Sequence, residues 1–437
     1  MRVPSIRSAI LLALIACLTL GVIAGIALGA ASPKEVRTAS SADRIERQLQ
    51  GDGGGITDLV PAPKVTASSW LVFDDTSNEP IAAKDPGTPR PIASLAKLMT
   101  ALVVVDRIQL DEVVTIPPSV NQLPADASVM GARAGEKWLA SELLKAMLGH
   151  SANDAAIALA THVGDGKVAT FVDYMNARAA DLDLADSNFA SPTGLDAPGA
   201  SNTSTPIDLV ALAEVALLDA DIRAAVKAPK VVLTRPGTTE AIVLPNRNPL
   251  LGRYAGIDGV KTGFTDAAGY MFIAHHVDPD TQVQLIVVTA GSTSEATRAS
   301  DAAALLDWAK PLRSDLLLVE GGEEIASVPV LRTNRRITLF ACDDVVANVR
   351  VGQRVDQEVV VPKSVKPPIS EGDEIGELRV RVGAADATIV PLCSSTTIPL
   401  DGLRDRAELY AGDYESAWDA GANEVRDTWK SMIGAAR

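Results

Sequence analysis

At 437 residues the chain exceeds the usual size of one domain, so two folded units with tails are expected. Aromatic residues make up 4% of a sequence that is 47% hydrophobic, so its cores must be built mainly from Ala, Val, Leu and Ile. The formal charge of −15 becomes −17, from 38 basic and 55 acidic residues, once a leader carrying Arg2 and Arg7 is set aside. Such a surface repels phosphate backbones and excludes nucleic acid as a partner.

Residues 1–33 read as an export segment, with Arg2 and Arg7 ahead of an uncharged apolar run from Ser8 to Pro33. The run is long enough to span a bilayer. Three outcomes fit it: cleavage after Gly29 or Ala31, retention as a signal anchor, or lipoprotein processing at Leu14-Ile15-Ala16-Cys17. The last fits least, because the apolar run continues past Cys17. Each sends the rest of the chain across a membrane. Residues 34–64 are polar and contain Gly51-Asp52-Gly53-Gly54-Gly55, the composition of a flexible tether.

Residues 65–312 form the first predicted domain. Trp70 to Asp74 and Pro80 to Ala83 predict two strands around the turn Thr76-Ser77-Asn78. A helix-rich stretch runs from Ala93 to Leu218, with helical spacing at Leu95, Leu98, Met99 and Leu102, at Leu143, Leu144, Met147 and Leu148, and at Val168, Phe171, Val172 and Met175. Strands return between Lys230 and Ala290, and Arg298 to Trp308 is again helical. Strands at both ends with helices between describe an α/β layer fold whose sheet is completed late in the chain.

Residues 313–402 hold short valine-rich runs between turns, at Ile325–Leu331, Arg336–Phe340, Val345–Val349, Leu378–Val382 and Ala387–Val390, and predict a small all-β domain. Cys342 and Cys393 are the only cysteines beyond the leader. In an oxidising compartment they are either a disulfide, closing a loop that would contribute ~4 kcal/mol by chain entropy, or two buried thiols. Residues 403–437 predict an amphipathic helix. Tyr410, Tyr414, Trp418, Val425, Trp429, Met432 and Ile433 share an arc of about 140°. That stripe suits either a membrane interface or packing against protein, and the acidic residues off the arc weaken attraction to anionic lipid.

Three short motifs carry chemistry. Ser94-Leu95-Ala96-Lys97 enters a predicted helix, where residues three apart share a face, so the Lys97 amine can lie beside the Ser94 hydroxyl. A serine needs a base to become a nucleophile, and a lysine serves if burial and nearby positive charge lower its pKa. About one such S-x-x-K is expected by chance in a chain this long, and this is the only match. Ser151-Ala152-Asn153 sits at a helix junction and offers a hydroxyl for proton relay and an amide for a carbonyl. Ser119-Val120-Asn121 has the same pattern but is flanked by Pro117, Pro118 and Pro124 and reads as loop. Lys261-Thr262-Gly263, on a strand edge, pairs a cation with a hydroxyl able to grip a carboxylate, and Gly263 would let substrate backbone approach.

In this order and at these separations the three motifs are far more specific than any one. With Pro192-Thr193-Gly194-Leu195-Asp196, Asn246-Arg247-Asn248-Pro249-Leu250-Leu251 and Asp258-Gly259-Val260 beside them, the stretch from Ala67 to Trp308 resembles the D-alanyl-D-alanine carboxypeptidases, the low-molecular-mass penicillin-binding proteins. The resemblance implies an α/β transpeptidase-like domain, an antiparallel sheet with a helical subdomain as in β-lactamases, followed by the small β domain. It implies Ser94 as nucleophile, Lys97 as base, Ser151 and Asn153 in proton transfer, Lys261, Thr262 and Gly263 as the carboxylate site, and the backbone N–H groups of Ser94 and Phe264 as oxyanion donors. The implied substrate is a peptidoglycan stem peptide ending in D-Ala-D-Ala, with β-lactams as inhibitors, a location in the bacterial cell envelope, attachment through the leader or the C-terminal helix, and no cofactor or metal.

The histidines His150, His162, His275 and His276 fit neither a nucleophile elbow nor a zinc helix. At most one of His275 and His276 could approach the cleft, because neighbours in a strand face opposite sides. Two other readings share the motifs: a class A-like β-lactamase, for which no deacylating Glu motif is found between Asn153 and Lys261, and a catalytically silent wall-binding scaffold.

Overall fold

The structure is a computed structural model and describes residues 41–51, 57, 60–196, 199, 201–331, 333–383 and 385–400. The leader and the C-terminal segment 403–437 lie outside the described residues, among which no helix is long and apolar enough to cross a membrane.

In chain order the first unit contains helix α1 (Ser41–Gly51), strands β1 (Ser69–Asp74) and β2 (Glu79–Lys84), helices α2 (Lys97–Arg107), α3 (Ala140–Gly149), α4 (Asn153–Val163), α5 (Val168–Asp181), α6 (Pro206–Leu218) and α7 (Ala220–Lys227), strands β3 (Ile257–Thr265), β4 (Gly269–Val277) and β5 (Gln284–Ser292), and helix α8 (Glu295–Ala309). The strands make one antiparallel sheet in the order β2-β1-β5-β4-β3. Its central strands carry long buried apolar runs because both faces are covered. Leu71 and Phe73 of β1, Met271 and Ile273 of β4, and Ile286 and Val288 of β5 enter the larger core beneath α2 to α7. Their neighbours Trp70, Val72, Phe272, Ala274, Leu285 and Val287 face the opposite way, onto Leu305 and Leu306 of α8. Alternation along each strand thus feeds two cores from one sheet.

Local chemistry sets the helix starts. Thr205 caps α6, its hydroxyl accepting from the Asp208 N–H at 3.1 Å, with Pro206 in the first turn. Ser294 and Thr297 form a capping box on α8.

The expectation of a flexible tether across 34–64 does not hold for 41–51. Helix α1 docks against α6 and β2, with Ala42 and Ile45 buried in the larger core and Arg44 paired with Glu214 at 3.5 Å. A polar average concealed the apolar residues spaced along one face, Ala42, Ile45 and Leu49.

The second unit comprises β6 (Arg313–Val319), β7 (Glu324–Pro329), β8 (Arg336–Ala341), β9 (Val345–Arg350), β10 (Val355–Val360), β11 (Glu374–Val382) and β12 (Thr388–Ser394). A five-stranded sheet, β7-β8-β12-β11-β10, accompanies the pair β6-β9, around a core of Val328, Ile337, Leu339, Leu378, Val380, Val390 and Leu392. Cys342 and Cys393 form a disulfide, with 5.4 Å between their Cα atoms.

The units meet at the β1–β2 turn. The buried Asp74 carboxylate accepts from the Thr76 and Ser77 N–H groups, both at 3.1 Å, and pairs with Arg313 of β6. Glu79 accepts from Arg350 at 3.2 Å and from Gln353 at 2.9 Å. Register places this junction, through Asp74, Leu285, His276 and Ile257, at the far end of the sheet from Thr262 to Thr265. Replacing one partner of a buried ion pair leaves the other uncompensated, at about 3–5 kcal/mol. Asp74→Ala is accordingly expected to loosen the junction, and calorimetry should resolve two unfolding transitions. A single transition at the parent temperature would refute this.

Candidate active site

The Ser94 turn is built by strain and close approach. Ala93, the residue before Ser94, is a left-handed non-glycine at φ 49°, and a 3₁₀ turn over Ala93–Ala96 runs directly into α2. Such strained positions persist only where their surroundings over-determine them. Two glycines do so here. A Cβ on Gly194, itself at φ 78°, would meet the Ala93 carbonyl oxygen at 1.9 Å, and one on Gly263 would meet the Ile92 carbonyl oxygen and Ser94 N at 3.1 Å each. Gly263, which also lines the cleft, thus admits the Ser94 backbone at close range.

The turn delivers the expected pair. Lys97 Nζ lies 2.8 Å from Ser94 Oγ, 2.8 Å from Asn153 Oδ1 and 2.5 Å from the Thr193 carbonyl oxygen. Lys97 is fully buried, and burial first, then the charge of Lys261, hold its pKa well below the ordinary lysine value, with Asp154 opposing.

Ser151 lies at the α3–α4 junction and is also left-handed, at φ 63°. Neighbouring hydrogen bonds pin it: Ala152 N–H to the Ala146 carbonyl at 3.2 Å, Asn153 N–H to the Ser128 carbonyl at 2.8 Å, Arg247 N–H to the Gly149 carbonyl at 2.9 Å, and His150 Nδ1–H to the Pro245 carbonyl at 2.9 Å. Asn153 also donates its side-chain amide to the Ser128 carbonyl at 3.0 Å, which leaves its oxygen for Lys97.

Beside these groups opens a cleft of about 500 Å³, lined by Ser94, Ser151, Asn153, Thr262, Gly263 and Phe264 among others. Ser119 and Asn121 are not part of its lining. Neither are His275 and His276, which are buried in β4, with His275 Nδ1 2.5 Å from Asp258 Oδ1. Lys261 differs from expectation. It is buried beneath the lining, its Nζ donating to the Thr262 carbonyl at 2.8 Å. Burial, with Arg298 and Arg247 nearby, lowers its pKa to about 7. The cations that do line the cleft are Arg247 and Arg298. Arg298, on α8, donates to the Gly263 carbonyl at 3.3 Å and lies across the Tyr270 ring, which stacks on Phe264 at 4.3 Å.

Sequence reasoning assigned no role to Arg247, Arg298 or Thr193. Arg247 and Thr193 fall inside the quoted motifs, whereas Arg298 reaches the cleft only because α8 packs behind the sheet, for which no local signal exists.

The family model described as D-alanyl-D-alanine carboxypeptidase matches residues 57–293, and that of the penicillin-binding protein 5 C-terminal domain matches residues 315–399. The chain is 33% identical over 251 residues to D-alanyl-D-alanine carboxypeptidase DacB2 of Mycobacterium tuberculosis, covering 57% of this chain and 84% of the relative. It is 30% identical over 332 residues to DacD of Salmonella typhimurium, covering 73% and 83%. The solved structure of penicillin binding protein 5 from Haemophilus influenzae aligns at a TM-score of 0.56 and 26% identity, over 78% of this chain and 99% of that one. With the three motifs converging on one cleft, the chain belongs to the D-alanyl-D-alanine carboxypeptidase family and is a serine-type enzyme of that class.

Proposed function

We propose that the chain removes the terminal D-alanine from peptidoglycan stem peptides through an acyl-enzyme on Ser94. The observation that carries this reading is the environment of Lys97. An unprotonated amine has two N–H donors and one lone pair. With the donors directed to Asn153 Oδ1 and the Thr193 carbonyl, the lone pair faces Ser94 Oγ. The base is thereby aimed, and its lowered pKa favours the unprotonated form. Ser94 attacks the carbonyl between the two alanines while Lys97 takes its proton; as the peptide C–N bond breaks, Ser151 gives its own proton to the leaving amine and is reprotonated from Lys97, which restores the free amine. The N–H groups of Ser94 and Phe264 receive the developing oxyanion, at about 3 kcal/mol for one such donor. Water then releases the acyl group. A β-lactam enters the same path and stalls.

Thr262 and the lining arginines receive the terminal carboxylate, with Lys261 contributing charge from below when protonated. A hydrogen bond to a charged group contributes about 1.5–3 kcal/mol. Arg298→Ala should therefore raise KM at least tenfold for a peptide with a free C-terminus, and leave an amidated analogue, already poor, unchanged. Equal loss on both peptides would count against this assignment.

Family membership and the apolar N-terminal sequence support a location in the cell envelope, whether the chain is kept there by an uncut leader or by residues 403–437, or is secreted. Intact mass after incubation with penicillin, followed by peptide mapping, tests the central reading. One adduct on the peptide containing Ser94 is expected. No adduct, or one on Ser151, would overturn it, and rapid loss of the adduct would favour a β-lactamase.

A further inference from the structure

Asp154 takes no part in the acyl-transfer scheme, yet the residue is 2% exposed and both carboxylate oxygens accept hydrogen bonds. One oxygen accepts from the Met130 N–H at 2.9 Å and the Ala155 N–H at 3.0 Å, the other from the Gly131 N–H at 2.9 Å and the Ala132 N–H at 3.0 Å. Three consecutive amides of one loop thus converge on one side chain. Two residues before Met130 stands Ser128, whose carbonyl takes both the backbone and side-chain N–H groups of Asn153. The same loop supplies Pro124, Asp126, Ala127 and Ser128 to the wall of the cleft.

We infer that Asp154 is a positioning residue for acylation: by clamping the 130–132 amides it fixes the Ser128 carbonyl, which locks the Asn153 amide in the orientation that presents its oxygen to Lys97. The amide needs this help. Its oxygen and nitrogen ends have similar shape, so only the partners decide which faces the amine. Turned over, Asn153 would set a donor against the Lys97 donors, and the lone pair of Lys97 would lose its aim at Ser94. A carboxylate is required because a group that only accepts can serve all four N–H groups, whereas an asparagine offers one oxygen and confronts the other amides with its own N–H bonds. Arg235, donating to the Gly131 carbonyl at 3.2 Å, holds the loop from the other side but touches neither Asn153 nor Lys97 in the contacts described.

The inference rests on the acyl-transfer reading, and Asp154→Asn in the full chain tests it. Loss of alignment without loss of the carboxylate site should lower the limiting acylation rate by penicillin by roughly tenfold to a hundredfold, with the apparent dissociation constant of the preceding complex unchanged. Amide hydrogen exchange should rise at Met130, Gly131, Ala132 and Asn153. Leu305→Ala, in the core behind the sheet, controls for general destabilisation. Acylation by Asp154→Asn within twofold of the parent, or a loss that Leu305→Ala reproduces at matched melting temperature, would overturn the inference. A parent that leaves penicillin unreacted would sink the carboxypeptidase reading instead. Exchange at Asn153 would then still decide the clamp, protection as in the parent counting against it.

Discussion

Ser94→Ala is expected to abolish D-alanine release and penicillin labelling together, by more than about four orders of magnitude, while far-ultraviolet circular dichroism stays as in the parent. Both activities begin with the same bond from Oγ, and among the described residues Ser94 supplies the hydroxyl bonded to the buried Lys97 amine, at 2.8 Å. Little structure depends on that oxygen: its other contact, to the Thr193 carbonyl at 3.5 Å, is long. Ser119→Ala, in the second S-x-N pattern, should leave both activities nearly intact. Equal loss from the two substitutions would mean that the cleft is not where the chemistry occurs.

Lys97→Met is expected to cost about two to four orders of magnitude in acylation, the usual contribution of a positioned base. In the parent, acylation should fall on the acid side, because protonating Lys97 consumes the lone pair. Its lowered pKa keeps the amine uncharged to lower pH than an exposed lysine would. Lys261 is one cause of that lowering, so Lys261→Met should move the acid limb of the pH–rate profile to higher pH. A limb unmoved by Lys261→Met, or an active Lys97→Met, would assign the base elsewhere.

The fold was legible wherever pattern and burial coincide. Trp70 to Asp74 reads as a strand from composition alone, and its complete burial explains why no polar alternation interrupts it. Strand β10 escaped notice because its last four residues, Gln357 to Val360, are exposed at a sheet edge and half of them are polar. At the site, Ser94 and Lys97 were readable because a three-residue spacing survives in the turn that carries them. Position relative to the cleft was not: whether Lys261 lines it or lies beneath depends on how closely β3 meets the Ile92–Ser94 backbone, a tertiary distance. Arg298 was hidden for the same reason, as a helix residue whose destination is set by packing across the sheet.

Docking of helix α1 also shortens a leash. Were the leader retained, only residues 34–40 would separate it from a helix already fixed to the body, and seven residues extend to about 25 Å at most. An enzyme so held could patrol only the polymer within a few nanometres of the bilayer, whereas a cut leader would free it to diffuse through the wall.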